Sequence, residues 1–239
     1  MDDLFYDRTF HQAEGIVLKQ LKSKGSVGSL IRSDAYFFDI DGTLIVSRDL
    51  VHWNAMHQAM LEVYGLDADF DGIPYHGKTD VAILRMALTR RGIPDSVFDE
   101  KLTEALSVIR REVSANVSGF RPDVCPSIPK LLGEIRNLDK LLGVASGNLE
   151  SVGWNKLSAA GIRDFFSLGS FGDTYELRTA IFDNAVSAAR NLLGQSASVC
   201  FLGDTPDDIE AARRVNAQVV AVATGVFSFS QLAKLNPDL

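Results

Sequence analysis

One short stretch limits the folds that are open to this chain of 239 residues. The apolar residues 35–38 are followed at once by Asp39, Asp41 and Gly42. Such a run predicts a buried strand of a parallel sheet, and these sheets gather their chemistry beyond the carboxyl ends of the strands. Because side chains alternate along a strand, both carboxylates should point the same way. A pair this close favours a hard cation such as Mg²⁺; the alternative is that the two acids only cap the next segment.

The rest of the chain divides by its apolar pattern. Between residues 51 and 118 the apolar residues recur at helical spacing, which predicts helices over 51–64, 79–91 and 97–117. Beyond residue 119, strands and helices alternate, with strands expected at 141–145, 165–168, 199–202 and 219–223. This alternation predicts an α/β fold with a doubly wound, Rossmann-like parallel sheet and helices on both faces. The predicted organisation is an N-terminal extension without an assigned role (1–32), an α/β core (33–50 and 119–239) and an inserted helical cap (51–118).

Charge and composition exclude several kinds of partner. The formal net charge is −7, which argues against a nucleic-acid footprint. No apolar run approaches the roughly 20 residues of a membrane span, so no membrane partner is expected. The two cysteines, Cys125 and Cys200, lack a CxxC spacing and predict a reducing compartment. We therefore expect a cytoplasmic protein, and the sequence leaves its oligomeric state open.

Two more predicted strands end in polar residues that should face the same crevice. Ser146, Gly147 and Asn148 follow the strand at 141–145, where a hydroxyl and free backbone N–H groups favour an anion. The alternative is that Ser146 or Asn148 merely caps the following helix. Asp204 follows the strand at 199–202, and helix capping, which accounts for Thr205 and Asp207, does not account for it. Asp39 and Asp204 together predict a Mg²⁺ site.

These stretches resemble, in order, three motifs of the haloacid dehalogenase-like (HAD) hydrolase superfamily. They are Asp39–Leu44, the strand ending at Ser146, and Gly203-Asp204 with Asp208. The resemblance covers about residues 33–225, and it puts the helical insert where the family carries its C1-type cap. The family's third motif is usually a lysine. Here Arg178 resembles a variant of it, and the alternative is that Arg178 is a solvated helix residue.

The resemblance implies a role for each matching residue. Asp39 would be the nucleophile that forms an aspartyl-phosphate, and Asp41 the acid and then the base. The Mg²⁺ ligands would be Asp39, the backbone carbonyl of Asp41, and Asp204, with Asp208 supporting them. The groups that hold the phosphoryl oxygens would be Ser146, Gly147, Asn148 and Arg178.

The favoured function is therefore a Mg²⁺-dependent phosphatase that hydrolyses small phosphorylated metabolites, similar to phosphoglycolate phosphatases. One alternative is a phosphomutase of the same superfamily, which would pass the phosphoryl group to a sugar. The other is a catalytically weak protein that binds phosphometabolites or takes part in interactions.

Residues 72–79 of the insert match the phosphate-loop pattern G-x-x-x-x-G-K-[ST] letter for letter. A phosphate loop must follow a buried strand, and the acidic residues 67–71 do not favour one. We expect this loop to point at the crevice, with His76, Lys78 and Thr79 as candidates for substrate selection. The start of an EF-hand at residues 67–72 is also excluded, because Lys78 would occupy the position where calcium needs a glutamate.

Overall fold

The computed structural model describes residues 33–173 and 175–239. The predicted extension, residues 1–32, lies outside the described residues. Within them the strands are β1 (Ala35–Phe38), β2 (Ile45–Ser47), β3 (Pro122–Val124), β4 (Leu141–Ala145), β5 (Leu168–Ser170), β6 (Val199–Gly203) and β7 (Gln218–Ala221). The helices are α1 (Val51–Tyr64), α2 (Asp80–Arg90), α3 (Asp95–Ala115), α4 (Ile128–Asn137), α5 (Glu150–Ala159), α6 (Arg178–Leu193), α7 (Pro206–Arg214) and α8 (Phe229–Ala233).

The larger sheet has the order β5-β4-β1-β6-β7, and every neighbouring pair is parallel. β1 lies in the middle because its residues are apolar on both faces. Tyr36 and Phe38 pack in the cluster that contains Leu132 of α4 and Leu157 of α5. Phe37 packs in the other cluster, where its ring lies 5.7 Å from that of Phe201. The prediction of an α/β fold with helices on both faces is confirmed.

The chain before β1 is held to the loop before β6. The carboxylate of Asp34 accepts hydrogen bonds from the backbone N–H of Ser198 at 3.0 Å and from its hydroxyl at 2.8 Å. These bonds, with the attraction of Lys140, lower the pKa of Asp34. The pair therefore connects the amino ends of two neighbouring strands.

The three helices between β2 and β3 pack on one another and form the helical insert. Their buried residues include Met56 and Met60 of α1, Leu84 of α2, and Phe98 and Ile109 of α3. The insert is entered and left through β2 and β3, which pair antiparallel with Ile45 opposite Val124. Beyond these strands, the carboxylate of Asp49 accepts the backbone N–H of Arg121 at 2.8 Å.

One predicted strand is displaced in the structure, and two short strands were not predicted. The strand expected at 165–168 lies at Leu168–Ser170, because residues Arg163–Phe165 form a 3₁₀ turn. Phe166 is buried edge-on against Phe38 at 6.0 Å, and this contact holds the chain in the turn. The three-residue strands β2 and β3 were not predicted. No helix in the described ranges is long and apolar enough to cross a membrane.

Candidate active site

The carboxyl ends of β1, β4 and β6 and the helical insert enclose a cavity of about 300 Å³. The residues that follow the three strands line it, as the strand pattern predicted, and they include Asp39, Asp41, Ser146, Gly147, Asn148 and Asp204. Arg178, the first residue of α6, also lines it. The volume lies at the lower end of the range for small-molecule sites.

Arg178 contacts the predicted nucleophile directly. Its Nη2 lies 2.9 Å from Oδ2 of Asp39, and its Nε donates to Oδ1 of Asp208 at 2.7 Å. The residues Arg178 and Asp39 are only 8% and 6% exposed. Interpreting Arg178 as a solvated helix residue is therefore wrong. Its Nη1 also donates to the carbonyl of Gly77 in the insert at 3.1 Å, so one guanidinium joins both parts of the site.

Three buried carboxylates form one cluster. Oxygen atoms of Asp39, Asp204 and Asp208 all lie within 4.8 Å of one another. Burial raises the pKa of Asp39 to about 6, against the opposing attraction of Arg178 and with the repulsion of Asp208. Burial, together with the repulsion of Asp39, raises the pKa of Asp204 well above its usual value. Such a cluster is poorly compensated by one guanidinium and suits a bound cation.

Two glycines let the backbone approach the Asp204 carboxylate closely. Gly42 has a φ of +84°, and a Cβ there would lie 2.4 Å from Oδ2 of Asp204. A Cβ at Gly225 would also collide with this oxygen. Oδ1 of Asp204 accepts the hydroxyl of Thr43 at 3.0 Å, which orients the carboxylate. The oxygen-rich donor set fits a hard divalent cation, and Mg²⁺ is the expected one.

Asp208 is fully buried and supports the cluster from behind. Its Oδ2 accepts the backbone N–H of Thr205 at 3.0 Å and the hydroxyl of Thr205 at 2.6 Å. The two residues form a capping box at the start of α7. One carboxylate oxygen of Asp208 thus caps the helix, and the other accepts a hydrogen bond from Arg178.

Lys156 is the site residue that sequence reasoning missed. Its Nζ lies 2.9 and 2.7 Å from the two carboxylate oxygens of Asp41 and 2.9 Å from Oδ1 of Asn148. Burial alone would raise the pKa of Asp41, but the Lys156 ammonium and the Asn148 amide lower it. Lys156 itself is only 4% exposed, whereas the side chain of Asp41 is 44% exposed toward the cavity.

Ser146 and Asn148 do not cap the helix that follows them, so that alternative is wrong. No side-chain cap bond is made at the start of α5. The Asn148 amide instead donates to Oδ2 of Asp41 at 2.7 Å and to the hydroxyl of Ser146 at 2.9 Å. The backbone N–H of Leu149, at the start of α5, donates to the Asp80 carboxylate of the insert at 2.8 Å. The side chains of Ser146, Asn148 and Asp41 are therefore linked by hydrogen bonds beside the cavity.

The loop before α2 contacts the backbone of Gly147, beyond the carboxyl end of β4. The backbone N–H of Asp80 donates to the carbonyl of Gly147 at 2.9 Å, and a Cβ at Gly147 would lie 2.4 Å from the carbonyl oxygen of Lys78. The side chain of Lys78 forms an ion pair with Asp207 at 2.5 Å. No strand precedes this loop in the described residues 65–79, so the phosphate-loop geometry is not met.

The candidates for substrate selection occupy different places. His76 and Lys78 line the cavity, and burial lowers the pKa of His76. Thr79 caps α2 by accepting the N–H of Ala82 at 3.1 Å, and it donates to the carbonyl of Glu176 at 2.9 Å. Its hydroxyl is thus used within the fold. His52, which the sequence did not single out, also lines the cavity and bonds Asp80 at 3.0 Å.

Comparison with known proteins agrees with this geometry. The family model described as "Haloacid dehalogenase-like hydrolase" matches residues 36–222. The chain is 26% identical over 205 residues to a phosphoglycolate phosphatase of Synechococcus elongatus, covering 85% of this chain and 90% of that protein. Its fold is similar to a predicted phosphatase from Clostridium acetobutylicum, with a TM-score of 0.61, 16% identity, and 86% and 92% of the two chains covered. It is similar too to CbbY from Rhodobacter sphaeroides in complex with phosphate, with a TM-score of 0.60, 18% identity, and 87% and 100% covered.

Proposed function

Because the chain belongs to the haloacid dehalogenase-like hydrolase family, we propose that it is a phosphatase that hydrolyses small phosphorylated metabolites. The observation that carries the proposal is the contact of a buried carboxylate, Asp39, with a buried guanidinium, Arg178, at 2.9 Å beside the cavity. A carboxylate there can attack phosphorus while the cation stabilises the phosphoryl oxygens. The phosphoglycolate phosphatase relative supports the same reaction class.

In the first step an oxygen of Asp39 attacks the phosphorus of the ester. The bond from phosphorus to the leaving oxygen breaks, and an aspartyl-phosphate forms. Asp41, in its protonated form, gives its proton to the leaving oxygen, so that the product is an alcohol. Because the pKa of Asp41 is lowered, this protonated form is the minor one before the step. Asn148 and Lys156 keep the Asp41 carboxylate in place, because both of its oxygens are hydrogen-bonded.

In the second step Asp41 takes a proton from a water molecule, which attacks phosphorus. The bond from phosphorus to Asp39 breaks, so that inorganic phosphate leaves and the free carboxylate returns. The lowered pKa of Asp41 suits this step, since a base must be ionised before it can accept the proton. We propose that Ser146, Gly147, Asn148 and Arg178 would hold the phosphoryl oxygens through both steps.

We propose that Asp39, the backbone carbonyl of Asp41, and Asp204 would hold Mg²⁺, with Asp208 supporting them. When bound, the ion would neutralise charge on the phosphoryl group and orient it. The repulsion among Asp39, Asp204 and Asp208, whose oxygen atoms lie within 4.8 Å of one another, supports this assignment.

The helical insert is proposed to act as a cap that closes over the substrate, with residues 51–118 as the cap domain and residues 33–50 and 119–239 as the catalytic core. The contacts of Arg178 with Gly77 and of Asp80 with Gly147 support this division, because they join the insert to the strand ends. A closed site excludes water other than the attacking molecule.

We also infer a cytoplasmic location. Both cysteines of the chain, Cys125 and Cys200, are buried free thiols, and burial raises the pKa of each to about 12. Cysteines that form no disulfide are typical of a reducing compartment.

The test is phosphate release from a panel of small phosphoesters, in Mg²⁺ and in EDTA, for the natural chain and for Asp39→Asn. Asparagine keeps the size of the side chain and removes its nucleophilic charge. Asp139→Asn makes the same chemical change at an exposed residue with a φ of +54°, which asparagine tolerates, and serves as the control. We expect metal-dependent release that only Asp39→Asn abolishes.

Two other results would favour a different function for this protein. Phosphoryl transfer to a sugar phosphate, dependent on a bisphosphate activator, would favour the phosphomutase. Tight Mg²⁺-dependent ligand binding without turnover would favour a binding protein.

A further inference from the structure

Every permanently charged cation among the described residues that line the cavity already has a carboxylate partner. The lining cations and their partners are Lys78 with Asp207 at 2.5 Å, Lys156 with Asp41 at 2.7 Å, and Arg178 with Asp39 and Asp208 at 2.9 and 2.6 Å. In the proposed reaction Arg178 serves the phosphoryl group and Lys156 holds Asp41. Recruiting Lys78 for a second anion would leave the carboxylate of Asp207 without its partner.

The lining histidines do not provide a free cation either. His52 is 3.0 Å from the buried carboxylate of Asp80, so any charge on its ring is offset there. Burial lowers the pKa of His76, whose ring lies 4.3 Å from that of Tyr75. The imidazole of His76 is therefore neutral near pH 7 and offers a hydrogen bond rather than a charge.

The insert adds an apolar wall to the cavity, made by Trp53, Met56, Tyr75 and Ile83. The rings of Trp53 and Tyr75 meet edge to face with centroids 5.1 Å apart, which fixes both. Asp49, which also lines the cavity, adds negative charge to that part of the site. An anionic group lying there would lose its hydration without gaining an ion pair.

We propose that this enzyme acts on phosphate monoesters whose alcohol part is uncharged and partly apolar, and that it discriminates against esters carrying a carboxylate or a second phosphate. The inference rests on the proposed phosphatase function and narrows its substrate class. It also sets this chain apart in specificity from the phosphoglycolate phosphatase that it resembles at 26% identity.

The first experiment measures kcat/KM for matched esters in Mg²⁺. The probes are 2-hydroxyethyl phosphate, 2-phosphoglycolate, ethane-1,2-diol bisphosphate and benzyl phosphate. The first three are similar in length and differ in the charge at the far end, whereas benzyl phosphate reports on the apolar wall. We expect kcat/KM for both uncharged esters to exceed that for 2-phosphoglycolate and the bisphosphate by about tenfold or more.

A charge placed in the cavity provides a second experiment. Val226 lines the cavity and is 53% exposed, so a longer side chain can extend from it. We expect Val226→Lys to raise kcat/KM for 2-phosphoglycolate relative to 2-hydroxyethyl phosphate by about tenfold, whereas Val226→Met, of similar length and uncharged, leaves the ratio unchanged.

The outcomes separate this inference from the proposed function. If 2-phosphoglycolate or the bisphosphate is hydrolysed as well as the uncharged esters, and Asp39→Asn abolishes that release, the phosphatase function holds and the inference is overturned. If none of the four esters is hydrolysed, the proposed function falls and the inference falls with it. A preference for the uncharged esters that Val226→Lys narrows about tenfold and Val226→Met leaves unchanged supports both.

Discussion

The amino group of Lys156 contacts both carboxylate oxygens of Asp41, at 2.9 and 2.7 Å. Val152 and Leu157 are buried in the core, so the lysine extends from a fixed helix toward the carboxylate. Lys156 therefore acts as a positioning residue for the proposed acid and base. The cavity-facing exposure of Asp41 leaves it accessible to a leaving oxygen or to water.

Replacing Lys156 with methionine should lower kcat with little change in KM. Methionine keeps most of the volume but releases Asp41 from its fixed orientation, and acid–base catalysis contributes about 10²-fold or more to rate. We expect kcat of Lys156→Met to fall by about that factor, and Lys156→Arg to recover part of the loss. Steady-state kinetics with 2-hydroxyethyl phosphate measures both. A rise in KM with an unchanged kcat would contradict a positioning role.

Arg178 can be tested by substitution with the residue that the family more often uses. Lysine keeps the positive charge beside Asp39 but cannot also contact Asp208 and the Gly77 carbonyl through a planar fork. We expect Arg178→Lys to lose about tenfold in kcat and Arg178→Met to lose about 10³-fold. Thermal unfolding of the two variants is the control, because the methionine leaves two buried carboxylates without their partner. Equal activity of the two variants would argue against an electrostatic role.

Changing Asp204 to asparagine should weaken metal binding and at the same time stabilise the metal-free protein. Burial raises the pKa of Asp204, so in EDTA its charged form costs stability that grows as the pH rises above about 4. Asparagine removes that charge. We expect half-maximal activity to need about tenfold more Mg²⁺, and the melting temperature in EDTA at pH 8 to increase. A lower melting temperature in EDTA would show that repulsion in the cluster is not the dominant effect.

Asp34, which lies away from the site, makes a pH-dependent contribution to the free energy of unfolding. Its pKa in the folded protein is lowered by the bonds from Ser198, so its stabilising effect is complete above the unfolded value of about 4. The effect is lost as the pH falls through the folded value. Urea unfolding should therefore show Asp34→Asn less stable than the natural chain at pH 7, with the difference shrinking toward pH 3. Asp139→Asn serves as the control, and a pH-independent difference would contradict this linkage.

The parts of the site that follow strands were predictable from the apolar pattern. Arg178 and Asp208, which belong to helices, were predicted only through the family resemblance, and Lys156 was not predicted. Asp39 and Asp204 could be brought together from the sequence because β1 and β6 are apolar, parallel and adjacent. Lys156 could not, because a lysine in a helix normally faces water. A signal was present, however: it lies four residues after Val152 and directly before Leu157, on the buried face of α5.

Local structure escaped prediction from the sequence where tertiary contacts decide it. β2 and β3 are three residues long each and exist only because they pair with one another. Strands this short are too short to show the apolar alternation from which a strand is predicted. Similarly, the start of β5 is set by the contact of Phe166 with Phe38, a residue distant in sequence.

The pairing of β2 with β3 has a mechanical consequence for the enzyme. The two segments that connect the insert to the core are hydrogen-bonded to each other, and Asp49 and Arg121 extend the connection beyond them. Two independent tethers would let the helices slide and twist, whereas a paired ribbon bends mainly about one axis. Any swing of the insert is then a motion with one degree of freedom. Trp53 and His76, which line the cavity from the insert, would then return to the same position relative to the core after each such swing.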